Sequence, residues 1–182
     1  MGAKIDIKPS TYIFIVLLVF FVPLKWLFAW LFAVIFHELC HWLAVKMCGG
    51  EIYNLSVGFG GAEMKCGPMP NRKRLFTILC GPFGGFLLVL LGKWMTRVAL
   101  CSWFLSIYNL LPLLPLDGGR AIEILLGSKS RIFQKAFLIL LTFGAVYALV
   151  ILRFGLMPLV IVAALWVKNR NSPCKPGACR VQ

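Results

Sequence analysis

The chain has 182 residues, of which 60% are hydrophobic and only 14% are charged. Soluble domains are about half apolar and about a quarter charged, and a mean hydropathy of +0.89 is too high for that class. The formal net charge is +13, but the basic residues lie between apolar stretches rather than in one patch, so nucleic acid is excluded as the expected partner. We expect one integral membrane domain whose basic residues contact lipid headgroups.

The first third of the sequence predicts two membrane-spanning helices and a hairpin. A spanning helix needs about 20 mostly apolar residues. Apolar residues run from about Thr11 to Val22, and again from about Leu24 to Met47. Between residues 51 and 66, β-forming residues are mixed with glycines that break a helix. We interpret this stretch as a small membrane-associated β-hairpin between the second and third spans. Its central glycines are Gly58, Gly60 and Gly61.

The remaining sequence predicts four further spans and a tail. The spans run from about Leu75 to Leu91, Val98 to Leu116, Ile132 to Leu152 and Phe154 to Val167. Gly81, Gly84 and Gly85 allow a neighbouring helix to approach the third span closely. The fold class is therefore an all-α polytopic membrane protein with about six transmembrane helices. We expect one domain over residues 1–168 and a basic, flexible tail over residues 169–182.

The basic residues also predict how the chain crosses the membrane. With the N-terminus inside and six spans, 15 of the 19 Lys and Arg residues fall on the cytoplasmic side. The residues left outside are Lys25, Lys93, Arg97 and Arg153. By the positive-inside rule, this asymmetry places both termini in the cytoplasm. It also places Asp117 and the second half of the second span at a similar depth, near the cytoplasmic face.

An HExxH motif, His37-Glu38-Leu39-Cys40-His41, lies in the second predicted helix. Two histidines four residues apart share one helix face and could hold one metal ion, and Glu38 could take a proton from bound water. They are the only histidines of the chain. The alternative is a pair of core histidines beside a chance glutamate. Ionisable residues inside a membrane are costly and mark functional sites, which favours the metal site.

A third metal ligand must be acidic or a thiolate, because a catalytic zinc usually takes three protein ligands. Asp117 is favoured, since it ends an apolar stretch, matches the depth of the histidines and precedes two glycines that permit close approach. Cys40 points away from the face that the histidines share. The alternative for Asp117 is an ordinary turn residue. The remaining acidic residues besides Glu38 are Asp6, Glu51, Glu63 and Glu123.

Taken together, two segments resemble the site-2 protease family of intramembrane zinc metalloproteases. One is the HExxH motif, and the other is N-L-L-P-L-L-P-L-D-G-G-R over residues 109–120, which is similar to the family pattern N-x-x-P-x-x-x-L-D-G. Their order and separation also fit. The resemblance covers about residues 28–126, which we expect to be the protease core.

This resemblance implies a role for each matched residue. One zinc ion per chain would be bound by three side chains, those of His37, His41 and Asp117. Glu38 would be the general base, and Asn109 would hold the substrate backbone or the developing oxyanion. The hairpin with Gly58, Gly60 and Gly61 would pair with an unwound substrate segment. Gly85 stands where many relatives have asparagine, so the polar contact of that asparagine at a helix interface is in doubt.

The predicted layout is most similar to the sporulation branch of the family, the stage IV sporulation FB-type proteases, which process an inactive sigma-factor precursor. Typical members carry a C-terminal nucleotide-binding CBS domain, which we do not expect after the last predicted span here. The expected function is hydrolysis of a peptide bond in or near a transmembrane segment of a membrane-associated protein. The expected location is the bacterial cell membrane, with regulatory membrane proteins as further partners.

Three alternatives to this function remain at the level of sequence. A site-2 protease could act instead on an anti-sigma factor or a signal-peptide remnant. A metal-ion transporter or metal-binding scaffold could use the same residues without hydrolysis, but a transporter would need ligands along a path, and the chain has few polar residues in its apolar stretches. A pseudo-protease would bind membrane segments without cutting them. It would not require intact His37, Glu38, His41 and Asp117, so their presence argues against this alternative.

Overall fold

The computed structural model describes residues 4–7, 22–58, 61–150, 157–170 and 179–181. The chain forms two compact units. The first consists of Met1–Leu110 with Pro176–Gln182, and the second of Leu111–Lys175. The first predicted span lies, apart from Val22, outside the described residues.

Among the described residues of the first unit there are three α-helices: α1 (Leu24–Met47), α2 (Asn71–Val89) and α3 (Thr96–Leu110). A short 3-10 helix, Leu90–Lys93, follows α2. The bounds predicted for the second span are confirmed by α1, because Pro23 precedes it and Gly49, with a φ of 73°, follows its end. The fourth apolar stretch, from about Val98 to Leu116, is interrupted by Pro112 and Pro115, and α3 accordingly ends at Leu110, since Pro112 cannot continue the helical hydrogen bonds.

Small residues bring the helices of the first unit together, as the sequence predicts. A Cβ added at Gly84 would overlap the Sγ of Cys40 in α1, and one added at Gly85 would overlap the Oγ of Ser106 in α3. The buried Ser102 donates a hydrogen bond from Oγ to the carbonyl oxygen of Gly85 at 2.8 Å. The asparagine that many relatives have at position 85 is missing, but the interface still has a polar contact. The side chain of Ser102 on α3 supplies it.

A four-stranded sheet completes the first unit, in the order β1 (Lys4–Ile7), β2 (Ile52–Gly58), β3 (Gly61–Cys66) and β4 (Cys179–Val181). The pair β2–β3 is antiparallel and lies where the hairpin is predicted, with β1 parallel to β2 and β4 antiparallel to β3. The strands β1 and β4 are additional to the hairpin that the sequence predicts. Of the predicted tail over residues 169–182, the structure describes residues 169–170 and the strand β4, and the flexibility of the tail stays a prediction. Pairing between distant short segments leaves no local pattern in the sequence.

The second unit contains α4 (Asp117–Leu126), a 3-10 helix (Gly127–Lys129), α5 (Ser130–Val150) and α6 (Met157–Arg170). Its core consists of the buried residues Leu113, Leu116, Leu138 and Leu165. The helix α4 was not predicted, because Asp-Gly-Gly at its start is typical of a turn. Its first turn lies against the preceding segment: a Cβ added at Gly119 would overlap the backbone of Leu113 and Leu114.

Among the described residues, two helical segments, Leu24–Met47 and Asn71–Lys93, are long and apolar enough to cross a membrane. Large apolar side chains of α1 are exposed, including Phe28 and Ile35. Such exposure over a contiguous surface is typical of contact with a membrane or a partner. Six spans remain a prediction.

We predict that Gly119→Ala destabilises the chain and that Gly144→Ala does not. The first change forces a Cβ into backbone atoms, and overpacking of this kind costs about 1–3 kcal/mol. The second lies in α5 with open space around it, where alanine favours the helix over glycine by up to about 1 kcal/mol. Thermal unfolding in detergent measures both. Equal unfolding temperatures for the two variants would contradict the packing of α4.

Candidate metal centre

The two histidines of the HExxH motif face each other within the first unit. His37 and His41 lie one turn apart on α1 and are 2% and 0% exposed. Their Nε2 atoms are 3.2 Å apart, and their rings are nearly perpendicular, at 82°. Two nitrogen ligands of a tetrahedral zinc ion are about 3.3 Å apart, given a bond of about 2.0–2.1 Å to each. The pair therefore fits one zinc ion without rearrangement.

The protonation of His41 follows from its neighbour on α2. Its Nδ1 lies 2.8 Å from the carbonyl oxygen of the buried Thr77. A carbonyl oxygen can only accept, so Nδ1 carries the proton and, in the neutral ring, Nε2 keeps its lone pair. This arrangement is common for metal-binding histidines, because the hydrogen bond fixes both tautomer and ring orientation. Sequence analysis missed Thr77, since a backbone carbonyl gives no residue-type signal.

Gly81 allows α2 to approach His41 closely. A Cβ added at Gly81 would overlap the His41 ring at Nε2, Cε1 and Cδ2. Gly81 and the following Pro82 are both buried in the middle of α2. Thr77 and Gly81 are one turn apart, so α2 contacts both the Nδ1 side and the Nε2 side of the same ring. The position of His41 therefore depends on α2 as much as on α1.

Asn109 also lies at the histidine pair, as expected from the sequence. It is in the last turn of α3, 8% exposed, and its Nδ2 is 3.4 Å from Nε2 of His37. Its amide offers both donors and an acceptor, so it could hold a polar group of a substrate next to a metal ion. That role stays a prediction. Glu38, the expected base, follows His37 on α1 and is half-buried.

Asp117, in the second unit, is fully buried and is the first residue of α4. A carboxylate at this position is stabilised by the positive end of the helix dipole. The side chain of the buried Gln134 on α5 donates from Nε2 to the carbonyl oxygen of Gly119 at 3.3 Å, which ties the same first turn to α5. Asp117 stays a predicted metal ligand.

The other acidic residues are placed differently. Glu51 is exposed, and it accepts a hydrogen bond from the hydroxyl group of Tyr53. That bond, with the charge of the Glu51 carboxylate, raises the pKa of Tyr53. Glu123 is half-buried on α4, and the side chains of Asp6 and Glu63 lie outside the description.

The hairpin glycines lie at the turn between β2 and β3. Gly58 ends β2 and pairs with Gly61, the first residue of β3, while Gly60 lies outside the described residues. Contact of these glycines with a substrate stays a prediction. In the described sheet, β2 pairs with β1 and β3 pairs with β4, so each hairpin strand has a partner on its outer side.

The sequence is similar to one protein family and to two zinc metalloproteases. The family described as Peptidase family M50 matches residues 90–151. Rip3 of Mycobacterium tuberculosis is 28% identical over 153 residues, covering 72% of this chain and 39% of Rip3. Zinc metalloprotease MJ0392 of Methanocaldococcus jannaschii is 28% identical over 144 residues, covering 71% of this chain and 42% of the relative. The chain thus matches about two-fifths of the length of these relatives.

The fold is similar to that of a solved structure, a site-2 protease from Methanocaldococcus jannaschii. The TM-score is 0.63 at 19% sequence identity, and the superposition covers 96% of this chain and 94% of the other. The fold class of a site-2 protease is therefore shared. Residues 90–151 are thus similar to peptidase family M50, most of the chain is similar to two zinc metalloproteases, and the solved structure shows the fold alone.

We predict that Gly81→Ala weakens zinc binding, because its Cβ displaces the His41 ring. Changes around metal ligands typically cost 10–100-fold in affinity, so a loss of about tenfold or more is expected. Competition with a chromophoric chelator in detergent measures the affinity. The matched control is Gly92→Ala, whose Cβ makes only an ordinary 3.5 Å contact with Ala99. Wild-type affinity in Gly81→Ala would show that α2 does not position His41.

Proposed function

We propose that this protein is an intramembrane zinc metalloprotease of the site-2 type. It hydrolyses a peptide bond in or near a transmembrane segment of a membrane-associated protein. The observation that carries the proposal is the buried pair of Nε2 atoms, His37 and His41, spaced at 3.2 Å as zinc ligands require. The family match and the zinc metalloprotease relatives support the same reaction class.

In this proposal, His37, His41 and Asp117 hold one Zn²⁺ ion per chain. When bound, zinc lowers the pKa of a coordinated water toward about 7 and polarises a carbonyl group. Glu38, next to His37, accepts the proton of the attacking water and passes it to the leaving amine. Asn109 donates a hydrogen bond from its amide to the carbonyl oxygen of the substrate, where negative charge develops.

Binding to the hairpin, as we propose it, requires a change in the sheet. A substrate strand adds to a sheet through an edge with open backbone groups. Because β1 and β4 pair with β2 and β3, the substrate has to replace one of them or add outside it. We propose replacement of β4, which has only three residues and therefore the fewest hydrogen bonds to lose.

The location and the substrate are also part of the proposal. We place the chain in a bacterial cell membrane as a multi-pass protein, with both termini and the metal centre toward the cytoplasm. This topology rests on the distribution of basic residues and on two helices long enough to span. The proposed substrate is a sigma-factor precursor in sporulation, on the basis of the predicted layout alone. An anti-sigma factor or a signal-peptide remnant is the alternative, and cleavage after co-expression distinguishes them.

A metal transporter or binding scaffold is the rival function. A transport path needs several groups of ligands, one after another across the membrane. The proposed ligands His37, His41 and Asp117 make a single site, and the sequence has few other polar residues in its apolar stretches from which a path could be built. Catalysis at a single site needs no more than this, so hydrolysis is favoured.

We predict that Glu38→Gln abolishes cleavage but retains zinc. Removing a general base lowers a rate by about 10²–10⁴-fold, whereas the three ligands are unchanged. The experiment measures cleavage of a co-expressed membrane substrate and the zinc content of the purified variant. The matched control, Glu51→Gln, removes an exposed carboxylate that interacts with Tyr53, and it should cleave normally. Cleavage by Glu38→Gln at the wild-type rate would refute the proposed base.

A further inference from the structure

A groove of about 830 Å³ lies within the first unit, alongside the N-terminal half of α1. Its other wall is formed by Trp94 and the first residues of α3. The histidine pair is in the second half of α1, and none of the described residues that line the groove belongs to it. No part of the proposed reaction uses this groove.

The groove has a charged end and an apolar body. Lys25 and Arg97 line one end together with Trp26 and Trp94, whereas Phe28, Phe32 and other apolar side chains line the rest. None of the described residues that line it is acidic. Two exposed cations therefore lie beside an apolar channel, and the described lining offers no carboxylate to balance them. The helices α1 and α3 both begin at this end, and their dipoles add to the positive potential.

We propose that the groove binds one anionic phospholipid, such as phosphatidylglycerol. The phosphate contacts Lys25 and Arg97, the two tryptophans lie at the headgroup level, and an acyl chain lies along Phe28 and Phe32. Tryptophan is favoured at this depth of a membrane because its ring is apolar and its N–H can donate to the interface. Each lysine or arginine near an anionic lipid surface favours binding.

Charge decides between this lipid and an apolar occupant. The stretch predicted as the first span, residues 11–22, precedes α1 directly and is the obvious competitor for an apolar groove. It contains no acidic residue, so it would leave the charges of Lys25 and Arg97 uncompensated. A zwitterionic lipid would compensate them less than an anionic one. The lining therefore fits an amphiphile with a net negative head.

Native mass spectrometry of the full chain in detergent tests the proposal, with phosphatidylglycerol and phosphatidylcholine of identical acyl chains as probes. The wild type should retain one phosphatidylglycerol more strongly than phosphatidylcholine. The double variant Lys25→Gln/Arg97→Gln should lose about 30-fold in affinity for phosphatidylglycerol and keep its affinity for phosphatidylcholine. The matched control, Lys46→Gln/Arg131→Gln, removes the same charge elsewhere and should bind as the wild type does.

A second pair of variants tests the apolar part. Phe28→Ala/Phe32→Ala should weaken binding of both lipids, while the exposed pair Phe76→Ala/Phe83→Ala should not. Circular dichroism verifies that each variant is folded. Equal retention of the two lipids by the wild type, or no loss in Lys25→Gln/Arg97→Gln, would overturn the proposal in favour of an apolar occupant. Displacement by millimolar inorganic phosphate would overturn it in favour of a simple anion site.

Discussion

The structure depends on one constraint: two imidazole nitrogens must be held 3.2 Å apart in a buried place. A buried polar group without a partner costs about 1–3 kcal/mol, so each ring needs a defined interaction. For His41 the carbonyl of Thr77 supplies it at Nδ1, which directs Nε2 toward His37. Gly81 then lets α2 pack against the ring, because any side chain there would occupy its place. The helix α1 carries both histidines but does not fix the orientation of the His41 ring by itself. Contacts from α2 fix it.

The same reliance on small residues extends along the helix bundle of the first unit. Gly84 brings α2 against Cys40 of α1, and Gly85 brings it against Ser106 of α3. Ser102 uses this proximity to donate to the backbone of α2. In a membrane, where apolar surface alone gives helices little reason to associate, such close packing and hydrogen bonds supply the association. Asn109, near the end of α3, reaches His37 through this bundle. The close packing of α2 and α3 therefore also places the side chains around the histidine pair.

The sequence predicted the features whose signals are local. Pro23 and Gly49 delimit α1, and HExxH identified the histidines by spacing alone. Asp117 was chosen by its position and by the motif that contains Asn109, but its place at the start of α4 was not foreseen, because Asp-Gly-Gly suggests a turn. Thr77 was missed since its contribution is a backbone carbonyl. The strands β1 and β4 were missed because four and three residues carry too little pattern, and their pairing is set by distant parts of the chain.

The central claim is that two histidines and one aspartate bind a single zinc ion. Zinc content of the detergent-purified chain, measured by elemental analysis for the wild type, His41→Ala and Asp117→Ala, tests it without a substrate. The account predicts about one zinc per wild-type chain and a clear loss in both variants, with circular dichroism unchanged. A wild-type chain without zinc, or an Asp117→Ala variant that retains it fully, would contradict the ligand set.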